Sequence, residues 1–211
     1  MNIVLKLGGS LMDNITEIVN HVIEYINTTS EEMKSVVIVP GGGIFADCVR
    51  DISKKYHISN DASHWIAIAS MEQYAYYIID KTGLESIDTL SELYSGIMVL
   101  KPYQYLKNND ELPHGWNVTS DTIGAWIAKK LDASFVKITD VDGIFKEQSL
   151  VSEINASDID KSGLSCTDKY MPEFLKDNRM NCYIVNGYHP ERITAALRNK
   201  PVTGTYIKGN I

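Results

Sequence analysis

The sequence is poor in cysteine, and the few cysteines it has do not form a recognisable site. Cys48, Cys166 and Cys182 are far apart, with no CxxC pair and no histidine at ligand spacing. This spacing argues against a disulfide framework and against a cysteine-based metal site. It favours reduced, partly buried thiols in a cytoplasmic protein.

The sequence also lacks the features of membrane and nucleic-acid-binding proteins. No apolar run approaches the roughly 20 residues that cross a bilayer. Lys6 and Asp13 interrupt the N-terminal apolar stretch, which argues against a signal peptide. The formal net charge is -7 and no stretch is densely basic, so we expect no nucleic-acid partner. Phosphate ligands stay possible, because they need only a local positive site.

Apolar runs of strand character alternate with helical stretches along the 211 residues. This order predicts an α/β fold with a parallel sheet covered by helices on both faces, as one domain or two small lobes sharing a sheet. The predicted strands are residues 1–7, 36–39, 96–100, 135–138, 182–185 and 204–208. The predicted helices are residues 14–27, 44–56, 63–81, 122–130, 169–177 and 191–198. Residues 30–34, 107–115 and 146–165 are predicted to be polar connections, the second of them a mobile surface loop.

Two glycine clusters follow directly on predicted strands and precede predicted helices. They are KLGGS at residues 6–10 and PGGG at residues 40–43. A strand, a glycine turn and a helix start together present main-chain N–H groups to a phosphate. Three glycines alone more often mark a tight turn, and the GxxxxGK[ST] loop is absent. We expect these turns to hold phosphates and the protein to transfer a phosphoryl group.

Three basic residues near the glycine clusters and strand ends are candidates for phosphate contact, because phosphoryl transfer needs positive charge on the transferring group. Lys6 lies at the end of a strand, just before a glycine turn. We prefer phosphate contact to the alternative, a structural lysine whose charge reaches solvent. Lys137 has a similar position. Arg50, two helical turns after the second cluster, is equally consistent with an anionic ligand and with a solvated helix residue.

Aspartates at predicted strand and helix ends have two interpretations each. Asp121 precedes a helix, where an N-cap is the default role. The functional alternative is that its carboxylate fixes a lysine ammonium or a metal near the transferring phosphate. Asp140 and Asp142 either cap a turn or hold nucleotide hydroxyls and magnesium-bound water.

Five motifs in order along the chain resemble the amino acid kinase family. They are residues 6–10, 41–43, 120–121, 139–145 (TDVDGIF) and 204–207 (GTYI). The resemblance implies a three-layer αβα sandwich with a mainly parallel sheet, formed as a single domain over residues 1–211. It implies an N-terminal half that binds a small-molecule phosphoryl acceptor and a C-terminal half that binds ATP with Mg²⁺. A homo-oligomer is also expected.

The resemblance assigns roles residue by residue. Lys6 and Asp121 are implied to be catalytic, with Lys6 stabilising the transferring group and Asp121 orienting that lysine. The implied nucleotide-binding residues are Gly8, Gly9, Ser10, Lys137, Thr139, Asp140, Asp142 and Gly143. The implied substrate-binding residues are Gly41, Gly42, Gly43, Arg50, Thr119 and Ser120. The metal ligands are not assigned.

The residues after the second glycine cluster bear on the identity of the acceptor. Residues 44–47 contain no arginine of the uridylate kinase type. No histidine of the isopentenyl phosphate kinase type lies between Gly43 and Tyr56, and His64 lies later, on a predicted helix. Residues 63–68, 116–121, 166–168 and 185–187 are similar to a short archaeal-type branch of the family. That branch implies phosphorylation of [5-(aminomethyl)furan-3-yl]methyl phosphate to its diphosphate, in methanofuran biosynthesis. The alternatives are a uridylate or other family kinase with a nucleoside monophosphate or carboxylate acceptor, and a non-catalytic nucleotide-binding or storage protein.

The helix predicted at residues 63–81 carries apolar and aromatic side chains with two interpretations. Ordinary packing or a subunit contact is the first, and a substrate pocket wall is the second. For the furan acceptor, Asp61 or Glu72 is a candidate for binding the ammonium, and Trp65 or Tyr74 for stacking on the ring.

Overall fold

The computed structural model describes residues 2–28, 35–159, 166–198 and 200–209. Its strands are β1 (Asn2–Leu7), β2 (Ser35–Pro40), β3 (Ser86–Ile87), β4 (Gly96–Leu100), β5 (Ser134–Thr139), β6 (Phe145–Lys146), β7 (Ser149–Leu150), β8 (Glu153–Asn155), β9 (Cys182–Asn186) and β10 (Thr205–Lys208). Its helices are α1 (Ile15–Thr28), α2 (Gly43–Tyr56), α3 (Asn60–Thr82), α4 (Pro102–Asn109), α5 (Ser120–Lys130), α6 (Met171–Asp177) and α7 (Pro190–Leu197). No helix within these ranges is both long and apolar enough to cross a membrane.

Within the described residues, one sheet has the strand order β3-β4-β2-β1-β5-β9-β10-β8, and β6 pairs with β7 as a separate hairpin. All neighbours in the large sheet are parallel except β9 and β10, which are antiparallel. Strands β1 and β2 are buried almost throughout, as expected for central strands covered on both faces. The predicted mainly parallel sheet is therefore confirmed.

Side chains that alternate along the strands form one hydrophobic core on each face of the sheet. Val4 of β1 packs with the buried side chains of α5 and α6 on one face. Ile3 and Leu5 pack with those of α1 and α7 on the other face. Helix α3 contributes to both cores, through Ile68 to the first and Ile78 to the second. The result is the predicted three-layer αβα sandwich.

Most predicted elements are present, and the differences have local causes. The predicted mobile loop at 107–115 overlaps α4, which has Pro102 in its first turn and buries Leu106. The two-residue strand β3 is too short to leave a periodic signal. Residues 146–159 contain short strands and a 3₁₀ turn. The prediction for residues 30–34 and part of that for 146–165 lie outside the described residues.

The carboxyl ends of the central strands meet at one edge of the sheet. The register pairs Leu7 with Pro40 and with Ile138, and it pairs Thr139 with Asn186. Each glycine cluster and the loop that starts at Thr139 therefore leave the sheet side by side. Ligands of open α/β sheets bind at such an edge.

Candidate active site

The two glycine turns touch each other where they leave the sheet. A Cβ atom on Gly9 would lie 2.0 Å from the Cα atom of Gly43, whose φ is +54°. The amides of Gly8 and Gly41 donate to main-chain oxygens of Ile138 and Leu7, at 2.8 and 2.7 Å. Within the described residues, the amides of Gly9 and Gly42 have no such partner. The amides of Gly9 and Gly42 are therefore among the donors left for a phosphate at this point.

Replacement of Gly9 by alanine tests this close contact. We expect Gly9→Ala to lower the free energy of unfolding by about 3 kcal/mol or more, because the new methyl group meets main-chain atoms that cannot move independently. Urea denaturation measures this. Gly8→Ala is the matched control, since Gly8 has φ -63° and its Cβ would meet its nearest atom at 3.2 Å. Equal losses in the two variants would contradict the prediction.

Two lysines share one carboxylate beside the glycine turns. Lys6 and Lys137 are register partners on β1 and β5, so their side chains lie on the same face of the sheet. Asp121 is 2.7 Å from the Lys6 Nζ through one oxygen and 2.6 Å from the Lys137 Nζ through the other. All three side chains are buried. Lys137 also donates to the main-chain oxygen of Cys166.

The charge states in this cluster follow from burial and proximity. Burial alone would raise the pKa of Asp121, but Lys137 and Lys6 hold that pKa well below its ordinary value, so the carboxylate is ionised. Burial, assisted by the charge of Lys137, lowers the pKa of Lys6. Among the residues that the structure describes, Asp121 is the one carboxylate in direct contact with these two lysines.

Asp168 connects this cluster to the C-terminal half of the chain. Its amide donates to Asp121 at 3.0 Å. Its half-buried carboxylate accepts from the amides and hydroxyls of Thr119 and Thr122, at 2.7 to 3.0 Å, and from the amide of Met171 at 2.8 Å. Asp168 thus caps the start of α5 from across the chain, which leaves the carboxylate of Asp121 free for the lysines.

A cavity of about 280 Å³ opens above these groups. The start of α2 and the start of α5 both line it, so two helix N-termini contribute amides and positive dipole ends. Its apolar wall comes from Ile68 and Met71 of α3 and from Val118. The predicted residues that line it are Lys6, Gly9, Ser10, Gly41, Gly42, Gly43, Arg50, Thr119, Ser120 and Asp121.

The loop after β5 is organised separately from this cavity. Asp142 accepts from Arg192 at 2.6 Å and from Asn186 at 2.9 Å, and both contacts lower its pKa. Gly143 has φ +149°, and a Cβ there would lie 2.3 Å from the Thr205 hydroxyl. That hydroxyl accepts from the amide of Ile144 at 2.8 Å. The closing GT motif therefore holds the TDVDG loop in place.

Comparison with known proteins decides the family. The model of the "Amino acid kinase family" matches residues 1–186. The chain is 38% identical over 215 residues to the [5-(aminomethyl)furan-3-yl]methyl phosphate kinase of Methanocaldococcus jannaschii, covering 98% of this chain and 97% of that protein. The chain belongs to the amino acid kinase family. The predictions of the family and of the kinase class are therefore confirmed.

Solved structures of two other kinases share the fold. The crystal structure of the uridylate kinase from Archaeoglobus fulgidus superposes with a TM-score of 0.73 at 20% identity, and the match covers 98% of this chain and 100% of that chain. The aspartate kinase from Synechocystis gives a TM-score of 0.71 at 14% identity, covering 99% of this chain and 40% of that chain. The predicted fold class is confirmed by these likenesses.

Within this family member, the predicted residues fall into two groups. The first group lines the cavity. Lys137 is not among the lining residues of the cavity. Its ammonium contacts the carboxylate of Asp121, which lines the cavity, and the main-chain oxygen of Cys166. Thr139, Asp140, Asp142 and Gly143 form the second group, at the loop after β5. Arg50 is exposed at the cavity rim, where it pairs with Asp47 at 2.6 Å and lies over the ring of Trp116.

The four side chains considered for the furan acceptor do not line the cavity. Trp65 and Glu72 face a separate groove on the outer side of α3, where Glu72 accepts from the Tyr103 amide. Tyr74 is fully buried and donates to the Gly8 oxygen at 3.3 Å. Asp61 is exposed and binds His114. Helical periodicity places these residues on α3 but does not say which face meets the ligand.

Sequence reasoning missed two residues of this amino acid kinase site. Asp168 belongs to a motif that was recognised without a role, and its many contacts depend on segments far apart in the chain. His64 was given no role because it lies on a predicted helix, yet it lines the cavity. It stacks on His114 with ring centroids 4.4 Å apart and ring planes at 13°. Stacked imidazoles do not aim their nitrogens at one ion, so the nearby ligand atoms of His64, His114 and Asp110 do not form a metal site as arranged.

Proposed function

We propose that this protein is an ATP-dependent kinase that phosphorylates [5-(aminomethyl)furan-3-yl]methyl phosphate to the diphosphate. The observation that carries the proposal is the buried Lys6–Asp121–Lys137 cluster beneath a small cavity lined by glycine turns and two helix starts. The acceptor is the one that the M. jannaschii relative's name gives, and that relative matches nearly the whole chain.

The chemistry requires few protein groups. An oxygen of the acceptor phosphate attacks the γ-phosphorus of ATP, and the bond from that phosphorus to the β–γ bridging oxygen breaks, which releases ADP. A phosphate monoester is already ionised near neutral pH, so no general base is needed. Lys6 places positive charge on the transferring group, and the amides of Gly9 and Gly42 bind its oxygens. Asp121 holds both lysines in position.

The nucleotide is proposed to lie over the C-terminal half of the single domain, against the loop that contains Thr139, Asp140 and Gly143. Mg²⁺ in kinases is held mostly by substrate phosphates with one or two carboxylates. Asp140 fits that role, since it is exposed, whereas Asp142 is already bound to Arg192 and Asn186. When bound, Mg²⁺ neutralises charge on the phosphates.

A homo-oligomer in the cytoplasm stays a prediction. The outer face of α3 supports the oligomer, because Trp65, Ile66, Tyr76 and Tyr103 line an apolar groove there. Ile66 and Tyr76 are 42% and 57% exposed. Exposed aromatic side chains gathered on one helix face are typical of protein contacts.

A panel of acceptors tests the proposed function. We measure ADP release with ATP and Mg²⁺. The kcat/KM for the furan phosphate should exceed that for UMP at least about 100-fold, because an acceptor site selects its substrate by complementary charge and shape. N-acetylglutamate and aspartate represent the carboxylate acceptors. Preference for UMP or a carboxylate would contradict the acceptor. ATP binding by calorimetry without turnover on any acceptor would indicate a non-catalytic nucleotide-binding protein.

A further inference from the structure

His64 lines the cavity but has no role in the proposed phosphate chemistry. Its side chain lines the cavity and is only 5% exposed. Its Nε2 atom is buried and has no hydrogen-bond partner within the described residues. Buried polar atoms of folded proteins nearly always have a partner. An unpaired ring nitrogen in the wall of a ligand cavity therefore points to a partner that the ligand supplies.

The groups behind His64 make this end of the cavity acidic. Both ring nitrogens of His114 contact carboxylates, one on Asp61 and the other, at 2.6 Å, on Asp110. Carboxylates only accept hydrogen bonds, so His114 donates from both nitrogens and is an imidazolium. One positive and two negative charges leave a net negative charge behind the stacked ring of His64.

His64 itself is neutral in this environment. Burial lowers its pKa, and the positive charge of the stacked His114 lowers it further. The carboxylates of Asp110 and Asp61 raise the pKa, but burial and His114 together outweigh them. A neutral imidazole has one donor and one acceptor nitrogen, and the net negative charge behind His64 favours the form in which Nε2 is the acceptor. Such a site favours a cationic donor and disfavours an anion.

The acidic end and the phosphate end of the cavity are separated along α3. His64 and Met71 both line the cavity, and seven residues of helix place them about 10 Å apart along the axis. Tyr74, one turn of α3 after Met71, donates to the main-chain oxygen of Gly8. The glycine turns therefore lie nearer to Met71 than to His64. The cavity thus has a positive end at Lys6 and an acidic end at His64.

We propose that His64 determines acceptor specificity by accepting a hydrogen bond from the acceptor's aminomethyl ammonium, with Asp61 and Asp110 supplying negative charge behind it. The inference rests on the proposed function, because that acceptor carries a phosphate at one end and an ammonium at the other. A nucleoside monophosphate has no cation to place there.

A comparison of two acceptors in two variants tests the inference. The acceptors are the aminomethyl furan phosphate and (5-methylfuran-3-yl)methyl phosphate, which lacks the amine. His64→Phe keeps a ring to stack on His114 but removes the nitrogen. We expect its KM for the aminomethyl acceptor to rise about 10- to 100-fold, the range for a hydrogen bond to a charged group. Its kcat, and its KM for the methyl acceptor, should change less than about twofold, within ordinary mutational scatter.

His21→Phe, on α1 away from the cavity, is the matched control and should leave both acceptors unaffected. If His64→Phe raised the KM for both acceptors equally, His64 would have a structural role and the inference would be overturned. Turnover of the aminomethyl acceptor by the wild-type protein would still support the proposed function. No loss on either acceptor would overturn the inference in the same way. Failure of the wild-type protein to phosphorylate the aminomethyl acceptor would overturn the proposed function and the inference together.

Discussion

Lys6→Met is expected to lower kcat by at least about 10³-fold while the protein stays folded. Methionine keeps the apolar stem of the side chain at the end of β1 but removes the charge beside the transferring phosphate. The loss of one preorganised electrostatic group costs about 10²- to 10³-fold, and the loss of a cation on the transferring phosphoryl group costs more. Asp121 keeps Lys137 and the amide of Asp168 as partners of its Oδ2 atom, and its Oδ1 atom loses the contact with Lys6.

Steady-state ADP release and circular dichroism together measure this effect. Lys54→Met is the matched control, since Lys54 is exposed in the last turn of α2 and should retain full activity. If Lys6→Met kept more than about a tenth of the wild-type kcat, Lys6 would not stabilise the transferring group in the way that preorganised charges do.

Asp121→Asn is expected to reduce both stability and activity. The amide leaves two buried lysines without their counterion, and breaking a buried pair in this way costs about 3–5 kcal/mol in the free energy of unfolding. The two lysines would then repel each other and move from the positions that the transfer requires. We expect kcat to fall by about 10²-fold or more. Urea denaturation and ADP release measure the two effects.

The stability effect has a defined dependence on pH. Because the lysines depress the pKa of Asp121, its contribution is fully present above its unfolded value of about 3.9 and is lost as the pH falls through the lower folded value. The difference in unfolding free energy between the wild type and Asp121→Asn should therefore stay constant from about pH 5 to 8 and shrink in acid. Asp80→Asn, at an exposed site, should show no such difference. A difference that grew in acid would contradict the assignment.

Parallel strands explain why much of the site was predictable. Each glycine cluster, the start of α5 and the TDVDG loop follow the carboxyl end of a predicted strand or begin a predicted helix. In a parallel sheet those ends lie at one edge, so motifs more than 100 residues apart in the chain meet there. The family resemblance paired Lys6 with Asp121, and the structure places the Lys6 Nζ atom 2.7 Å from the Asp121 carboxylate. Their catalytic roles stay predictions.

Pairing partners were not predictable in the same way. The nucleotide contact of Lys137 stays a prediction, and the sequence did not indicate that its register opposite Lys6 brings its ammonium to Asp121. Asp121 looked like an ordinary N-cap, but Asp168 supplies the cap instead. His64 looked like a helix residue of no special role, and only the packing of α3 against the loop at 110–118 places it in the cavity wall.

The sequence by itself determined the alternation of strands and helices, the glycine turns and the identity of the charged residues at strand ends. These follow from local patterns, because apolar periodicity and glycine content act over a few residues. The tertiary structure alone decided that two lysines share one aspartate, that the amides of Gly8 and Gly41 are used by the fold, and that a histidine backed by Asp110 lines the cavity. Those facts depend on register and helix rotation, where a shift of one residue turns a side chain to the opposite face.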